Sequence, residues 1–250
     1  MCTRFAVIQA LVLWMGFGAL TWTQVPAAAP DDPLVQRFLS RHDDPLTQYR
    51  GTRRLEAYNG RFKKEAWLLV ETELDLERGF TYRIIDQGGS EYILKRVLRP
   101  FLENEAGLTT ARDSARDASS VSTENYRLQA GATTEPGVTK LLITPRRRHL
   151  LLVDGAAFLD DAADLLRIEG KLSKNPSFWT KRVDVVRYYG RVGGVRVPVR
   201  FESTAQIRMA GMSKMTMTYD YLMVNGVPVA TESASAYGRP VPARTVSARP

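Results

Sequence analysis

From Val195 onward the chain alternates apolar and polar side chains, and that rhythm restricts the fold more than any other feature. Val195, Val197, Val199, Phe201, Ala205 and Ile207 hold most of the odd positions, and Arg196, Arg200, Glu202, Thr204, Gln206 and Arg208 most of the even ones. After a short break, Met215, Met217, Tyr219, Tyr221 and Met223 alternate with Lys214, Thr216, Thr218 and Asp220. Successive side chains of a strand point to opposite faces, so a period of two marks a sheet with one wet face and one buried face. A helix of the same composition would smear its apolar residues around the axis.

Earlier segments carry the same signal in shorter runs. Tyr49 to Tyr58 and Phe62 to Leu74 flank Asn59-Gly60, a turn pair suited to a hairpin, and Phe80 to Asp86 ends at Gly88-Gly89. Strands are predicted over Tyr126–Ala130, Val138–Thr144, Leu150–Val153, Ala156–Leu159 and Leu165–Leu172, with Asp154-Gly155 as the clearest turn among them. Gly193-Gly194 joins Trp179–Val192 to Val195–Arg208. Two segments read as helices. Asp32-Pro33 opens a short one with Leu34, Phe38 and Leu39 on one face. The other runs over Ile93, Leu94, Val97, Leu98, Phe101 and Leu102, with Ser90 as N-cap and Pro100 marking a kink or an early end. Residues 107–124 are polar and weakly patterned, as in an exposed loop or frayed helix.

About ten antiparallel strands make a sheet too large to stay flat. With two helices to cover it, the predicted class is α+β, mainly antiparallel β: a large curled sheet, an incomplete β-barrel whose open side the helices close. An apolar cavity follows from that shape.

The N-terminus speaks of location. Arg4 is the only charge before Asp31, and Phe5 to Trp22 is interrupted only by Gln9 and Thr21. Residues 1–29 read as a secretory signal segment, with Val25 and Ala27 favouring cleavage after Ala27; an uncleaved anchor is the rival reading. Residues 30–230 form the expected folded domain and 231–250 a disordered tail. Cys2 is the only cysteine and precedes the apolar run, so neither a lipid anchor nor a disulfide is expected. The formal charge of +8 would suit anionic lipid head groups or an acidic protein in an exported chain, rather than nucleic acid.

The stretches YRGTRRLEAYNGRFKKEAWLLVETELD (49–75) and NPSFWTKRVDVVRYYGRVGGVRVPVRFESTAQIRMAGMSKMTMTYDYLMVNGV (175–227) resemble the LolA/LolB-like superfamily of outer-membrane lipoprotein-sorting proteins. The lipid-binding sensor RseB shares that architecture. The resemblance implies a soluble, monomeric periplasmic half-barrel that binds a lipid or acylated lipoprotein, or else an RseB-like module engaging another envelope protein. Neither cofactor nor metal is implied.

The expected cavity lining is Met215, Met217, Tyr219, Tyr221, Met223, Phe201, Val199, Val186, Tyr188, Phe101 and Val97. Methionine adapts to acyl chains of varied shape. If the Gly193-Gly194 loop has two residues and the ladder runs on unbroken, Tyr188 faces Val199, Val186 faces Phe201, Asp184 faces Ser203 and Arg182 faces Ala205. Arg182 and Asp184 then fall on the apolar face as a contact for a head group or partner, unless a bulge shifts the register. Arg146, Arg147 and Arg148 form a second basic cluster, either an anion contact or a solvated turn. His42 and His149 stand alone, and Asp160, Asp161 and Asp164 share a turn where solvated acids are common. No catalytic residue and no metal ligand is expected.

Overall fold

Each alternating stretch becomes a strand, and each strand turns its apolar set to the same side. The structure is a computed structural model that describes residues 33–41, 43–75, 77–109 and 120–229. The expected signal segment and tail lie outside the described residues. In chain order the elements are α1 (Pro33–Ser40), β1 (Tyr49–Asn59), β2 (Lys64–Asp75), β3 (Gly79–Gly89), α2 (Glu91–Ile93), a π-helical turn (Leu94–Leu98) and α3 (Arg99–Thr109). The strands β4 (Tyr126–Gly131), β5 (Val138–Pro145), β6 (Val153–Asp160) and β7 (Leu165–Leu172) follow. The chain continues with β8 (Thr180–Val192), β9 (Val195–Ile207), β10 (Gly211–Val224) and β11 (Val227–Pro228).

These form one 11-stranded sheet in the order β3-β2-β1-β10-β9-β8-β7-β6-β5-β4, with β11 beside β10. Every pairing is antiparallel. The sheet is an open half-barrel, with β3 and β4 as its two edges. Because β3 and β4 are consecutive strands, the chain between Gly89 and Tyr126 must travel from one edge to the other, and the longer helical segment begins that journey.

Two apolar cores fill the inner face. The first joins Leu55, Leu68, Val70, Val197, Met217 and Tyr221 to Ile93, Leu94, Leu98 and Leu102 of the helical segment. The second joins Val35 and Phe38 of α1 to Tyr126, Leu141, Ile143, Leu152, Ala157, Leu159 and Val185. Pro100 has no N–H to donate and its ring crowds the preceding turn. That turn widens to π form, the Arg99 N–H reaching back to the Leu94 carbonyl. The helix is thereby neither ended nor broken, and continues to Thr109. Ser90 sits at the N-cap position with no side-chain capping bond; its amide instead donates to the Glu65 carbonyl at 2.7 Å.

Several expected details are corrected. Tyr188 pairs with Arg200 and Tyr189 with Pro198, so Val199 is bulged out of the β8–β9 ladder. Pro198 lacks the N–H a regular ladder would use there. Beyond the bulge every β8 partner is moved by one: Arg187 faces Phe201, Val186 faces Glu202 and Asp184 faces Thr204. Val183 and Val185 are therefore the buried residues, while Val186, Tyr188, Arg182 and Asp184 turn outward. A second bulge moves Met223. Arg50 pairs with Met223 and Gly51 with Tyr221, leaving Leu222 extra, and Val224 takes the inner place expected of Met223. Gly51 permits this, since a Cβ there would lie 2.3 Å from the Asp220 carbonyl oxygen.

Asp154-Gly155 is not a turn but mid-strand, and residues 150–152 are not a strand. Gly155 faces Gly170, and a Cβ on it would lie 2.0 Å from the Glu169 carbonyl oxygen. A glycine signal thus marks close backbone approach rather than reversal. Asn59-Gly60 begins a longer connection, with Lys63 at φ 49° before β2 starts at Lys64. The first three residues of 107–124 extend α3; positions 110–119 lie outside the described residues.

Leu98 and Leu102 are fully buried, which ties the helical segment to the sheet. Leu98→Ala is expected to lower stability by about 2–5 kcal/mol, read from the urea unfolding midpoint; a loss below about 1 kcal/mol would show that the segment rests loosely on the sheet.

Candidate functional site

The two cores meet at the middle of the inner face. Phe201 is half-buried and packs against both of them. Phe101 of α3 approaches it, ring centres 6.1 Å apart. Of the expected lining, Met215, Met217, Tyr219, Tyr221, Phe201, Val199 and Phe101 come together on this face. Val97 does not; it lies on the solvent side of the π turn, 38% exposed. Met223, Val186 and Tyr188 are off it for the register reasons above.

Two arginines absent from the expected lining stand on this face. On β1 the inner positions are Tyr49, Gly51, Arg53, Leu55 and Ala57, so Arg53 interrupts an otherwise apolar row. It is 3% exposed. Its guanidinium lies 4.7 Å from the ring centres of both Phe80 and Tyr219. Its Nη1 donates to Glu105 Oε2 at 2.7 Å, and its Nη2 donates to Glu105 Oε1 at 3.1 Å and to the Tyr49 hydroxyl. Glu105 belongs to α3, so this ion pair pins the helix to the sheet through the aromatic cage. Arg53 Nε is buried with no acceptor among the described residues.

Arg187 follows Val183 and Val185 on the inner side of β8 and opposes Phe201, whose ring centre is 5.9 Å from its guanidinium. Among the described residues no carboxylate forms an ion pair with it. Its surroundings are phenolic: attraction to Tyr189, then Tyr219 and Tyr126, outweighs burial and holds the guanidinium above its ordinary range. Burial opposes the charge on Arg53, yet attraction to Glu105 and the neighbouring tyrosines raises it well above the usual value. Both remain cations throughout. Burial pushes the phenols of Tyr219, Tyr221 and Tyr49 upward. The inner face is thus largely apolar and carries a cation, Arg187, at the seam between its two cores.

The other basic candidates are elsewhere. Arg182 and Asp184 form an ion pair at 2.6 Å on the outer face, 60% and 45% exposed. Arg146, Arg147 and Arg148 occupy an exposed turn, where Arg146 Nε donates to the Thr123 carbonyl at 2.7 Å. Asp160 accepts from the amides of Ala162 and Asp164. Asp164 joins Asp43, Arg41, Arg191 and Arg196 in an ionic network that fastens the segment after α1 to the β8–β9 hairpin. Among the described residues no cluster of three or more His, Cys, Asp or Glu could hold a metal. No helix among them is long and apolar enough to cross a membrane.

No family model and no curated protein matches the chain. Among solved structures it is similar to a LolA superfamily protein from Nitrosomonas europaea at 8% identity, over 75% of this chain and 90% of that one, TM-score 0.41. It is also similar to an outer-membrane lipoprotein-sorting protein domain from Vibrio parahaemolyticus, 11% identical over 82% and 97% of the two chains, TM-score 0.30. A DUF1329 family protein from Desulfovibrio piger is 12% identical over 75% and 87%, TM-score 0.27. The first two carry the name of the superfamily that residues 49–75 and 175–227 resemble. Scores this low carry no functional argument, and the half-barrel description rests on strand order and register.

Removing Glu105 leaves the Arg53 charge buried with only aromatic faces and one phenol. Glu105→Ala is expected to destabilise by about 2–4 kcal/mol, more than Arg53→Met; equal losses in chemical denaturation would contradict the caged-charge account. The tyrosines set an alkaline limit. The folded state holds their protons more tightly than the unfolded chain, so that stability is fully present below pH 10.0, the ordinary phenol value, and is lost as pH rises above it. Tyr219→Phe should flatten the decline, as read from urea midpoints taken between pH 8 and pH 12.

Proposed function

We propose that this chain is a periplasmic binding protein whose inner trough takes the acyl chain of a lipid or of an acylated lipoprotein, and which performs no chemistry on it. The observation that carries the reading is the seam at Phe201. There the apolar wall stays half open to solvent between two separately packed cores, with Arg187 beside it and no carboxylate partner among the described residues. An acyl chain laid along the seam removes apolar surface from water at roughly 25 cal/mol per Å². Arg187 supplies the complementary contact for a phosphate, carboxylate or ester oxygen at the chain's polar end. Met215 and Met217 give the wall a deformable surface. A carrier in lipoprotein sorting is the specific role that this binding would serve.

The test is extraction of the purified protein followed by mass spectrometry of lipids, with a fluorescent fatty acid as probe. Bound lipid or saturable uptake of the probe is expected. Arg187→Gln should weaken an anionic acyl probe about tenfold while leaving an uncharged one of equal length unchanged. Protein that stays empty and takes up neither probe overturns the proposal; one stoichiometric envelope protein in place of lipid would favour an interaction module.

A further inference from the structure

The loops at the two ends of the sheet differ in charge and in apolar exposure. Antiparallel order puts the β1–β2, β5–β6, β7–β8 and β9–β10 connections at one end. They touch one another. Arg61 Nη1 donates to the Met209 carbonyl at 2.6 Å, and the Gly60 amide to the Met212 carbonyl at 3.0 Å. The Arg208 amide donates to the Trp179 carbonyl at 2.7 Å, and the His149 amide to Ser173 Oγ at 3.0 Å.

Their sequences are GRFKK (60–64), RRRHLLL (146–152), SKNPSFWTK (173–181) and RMAGMSK (208–214), which together hold ten Lys and Arg and no Asp or Glu. All ten cations are exposed. Three acids flank the group: Glu65 at the start of β2, Glu124 just before β4 beside Arg146, and Glu91, which is paired with Lys95 at 2.9 Å. The opposite end is the more acidic one: its connections carry Asp75, Glu77, Glu135, Asp160, Asp161 and Asp164 with the one cation Arg78, although Asp164 is itself paired with Arg41, Arg191 and Arg196.

Large apolar side chains stand among the cations. Phe178 is 75% exposed, Met209 76%, Trp179 57% and Phe62 54%. Phe178 and Trp179 meet edge to face at 5.7 Å, and the Arg208 guanidinium lies 4.8 Å from the Phe178 ring centre. These residues sit on three different loops, so they form a set of separated prongs rather than a groove. Aromatic prongs set in a cationic field, with no acid between them, match a bilayer interface. There the rings enter the head-group boundary and the cations meet lipid phosphates.

We infer that this end of the half-barrel docks on the surface of an anionic phospholipid bilayer. It is a second binding surface, outside the trough, and it sets the strands pointing toward the membrane with the acidic end away from it. The inference does not depend on trough occupancy.

The experiment uses the full chain with Cys2→Ser, carrying an environment-sensitive fluorophore on Phe178→Cys at the basic end or on Glu77→Cys at the acidic end. Vesicles are phosphatidylcholine alone or phosphatidylcholine with about 30% phosphatidylglycerol. Expected is a blue shift at position 178 with the anionic vesicles only, none at position 77, and weakening as salt is raised. Changing Arg146, Arg147 and Arg148 together to Glu should weaken that binding about a hundredfold while leaving acyl-probe uptake intact. Trp179→Ser should weaken it without altering the salt dependence. No shift at 178, equal shifts at both positions, equal binding to uncharged vesicles, or binding to a soluble acidic polypeptide but not to vesicles would each overturn the inference.

Discussion

A wide sheet with one apolar face has to find cover for it, and here very little helix is available. Everything else in the fold answers that shortage. The sheet curls so that its own ends shorten the distance to be spanned, α1 serves one half, and the segment from Glu91 to Thr109 serves the other. Only Phe101 of α3 reaches the middle, where its ring meets Phe201. The seam at Phe201 is where cover runs out, and it is also where a charged side chain is tolerated close to solvent.

Arg53 makes sense in the same terms. A cation at the centre of an apolar row would be costly if left alone. Two aromatic faces, a phenol and a carboxylate from the crossing helix offset that cost, and in doing so they give the helix a single seating on the sheet. An all-apolar contact at that place would hold the helix by area, with several nearby positions of similar energy. The ion pair adds direction.

How much of this was legible beforehand can be judged strand by strand. The period-two runs in β1, β2, β9 and β10 showed themselves because each has one wet face, and the curled α+β sheet followed from their number. The hairpin at Gly193-Gly194 was legible, but the pairing beyond Tyr189 was not. A bulge inserts one residue and exchanges faces for the rest of the strand, and nothing in the composition around Pro198 says which neighbour will be extruded. That single slip hid Arg187 and wrongly brought Arg182 and Asp184 inside. Met223 was lost in the same way at Leu222. Arg53 is a different case: the pattern contained it, since Leu55 and Ala57 share its parity, and an arginine in such a row is itself the signal. Asp154-Gly155 misled because turns and close strand contacts both require glycine, and local sequence does not separate the two.

The edges at β3 and β4 stay unjoined. A closed barrel has its bore fixed by strand number and shear, because hydrogen bonds run all the way round. With the circuit open, the spacing between the two walls is held only by side-chain packing and by the crossing helix. The trough's width is therefore not fixed by the ladder, and for the acyl ligand proposed above selection would rest on flexibility and cross-section more than on a matching length.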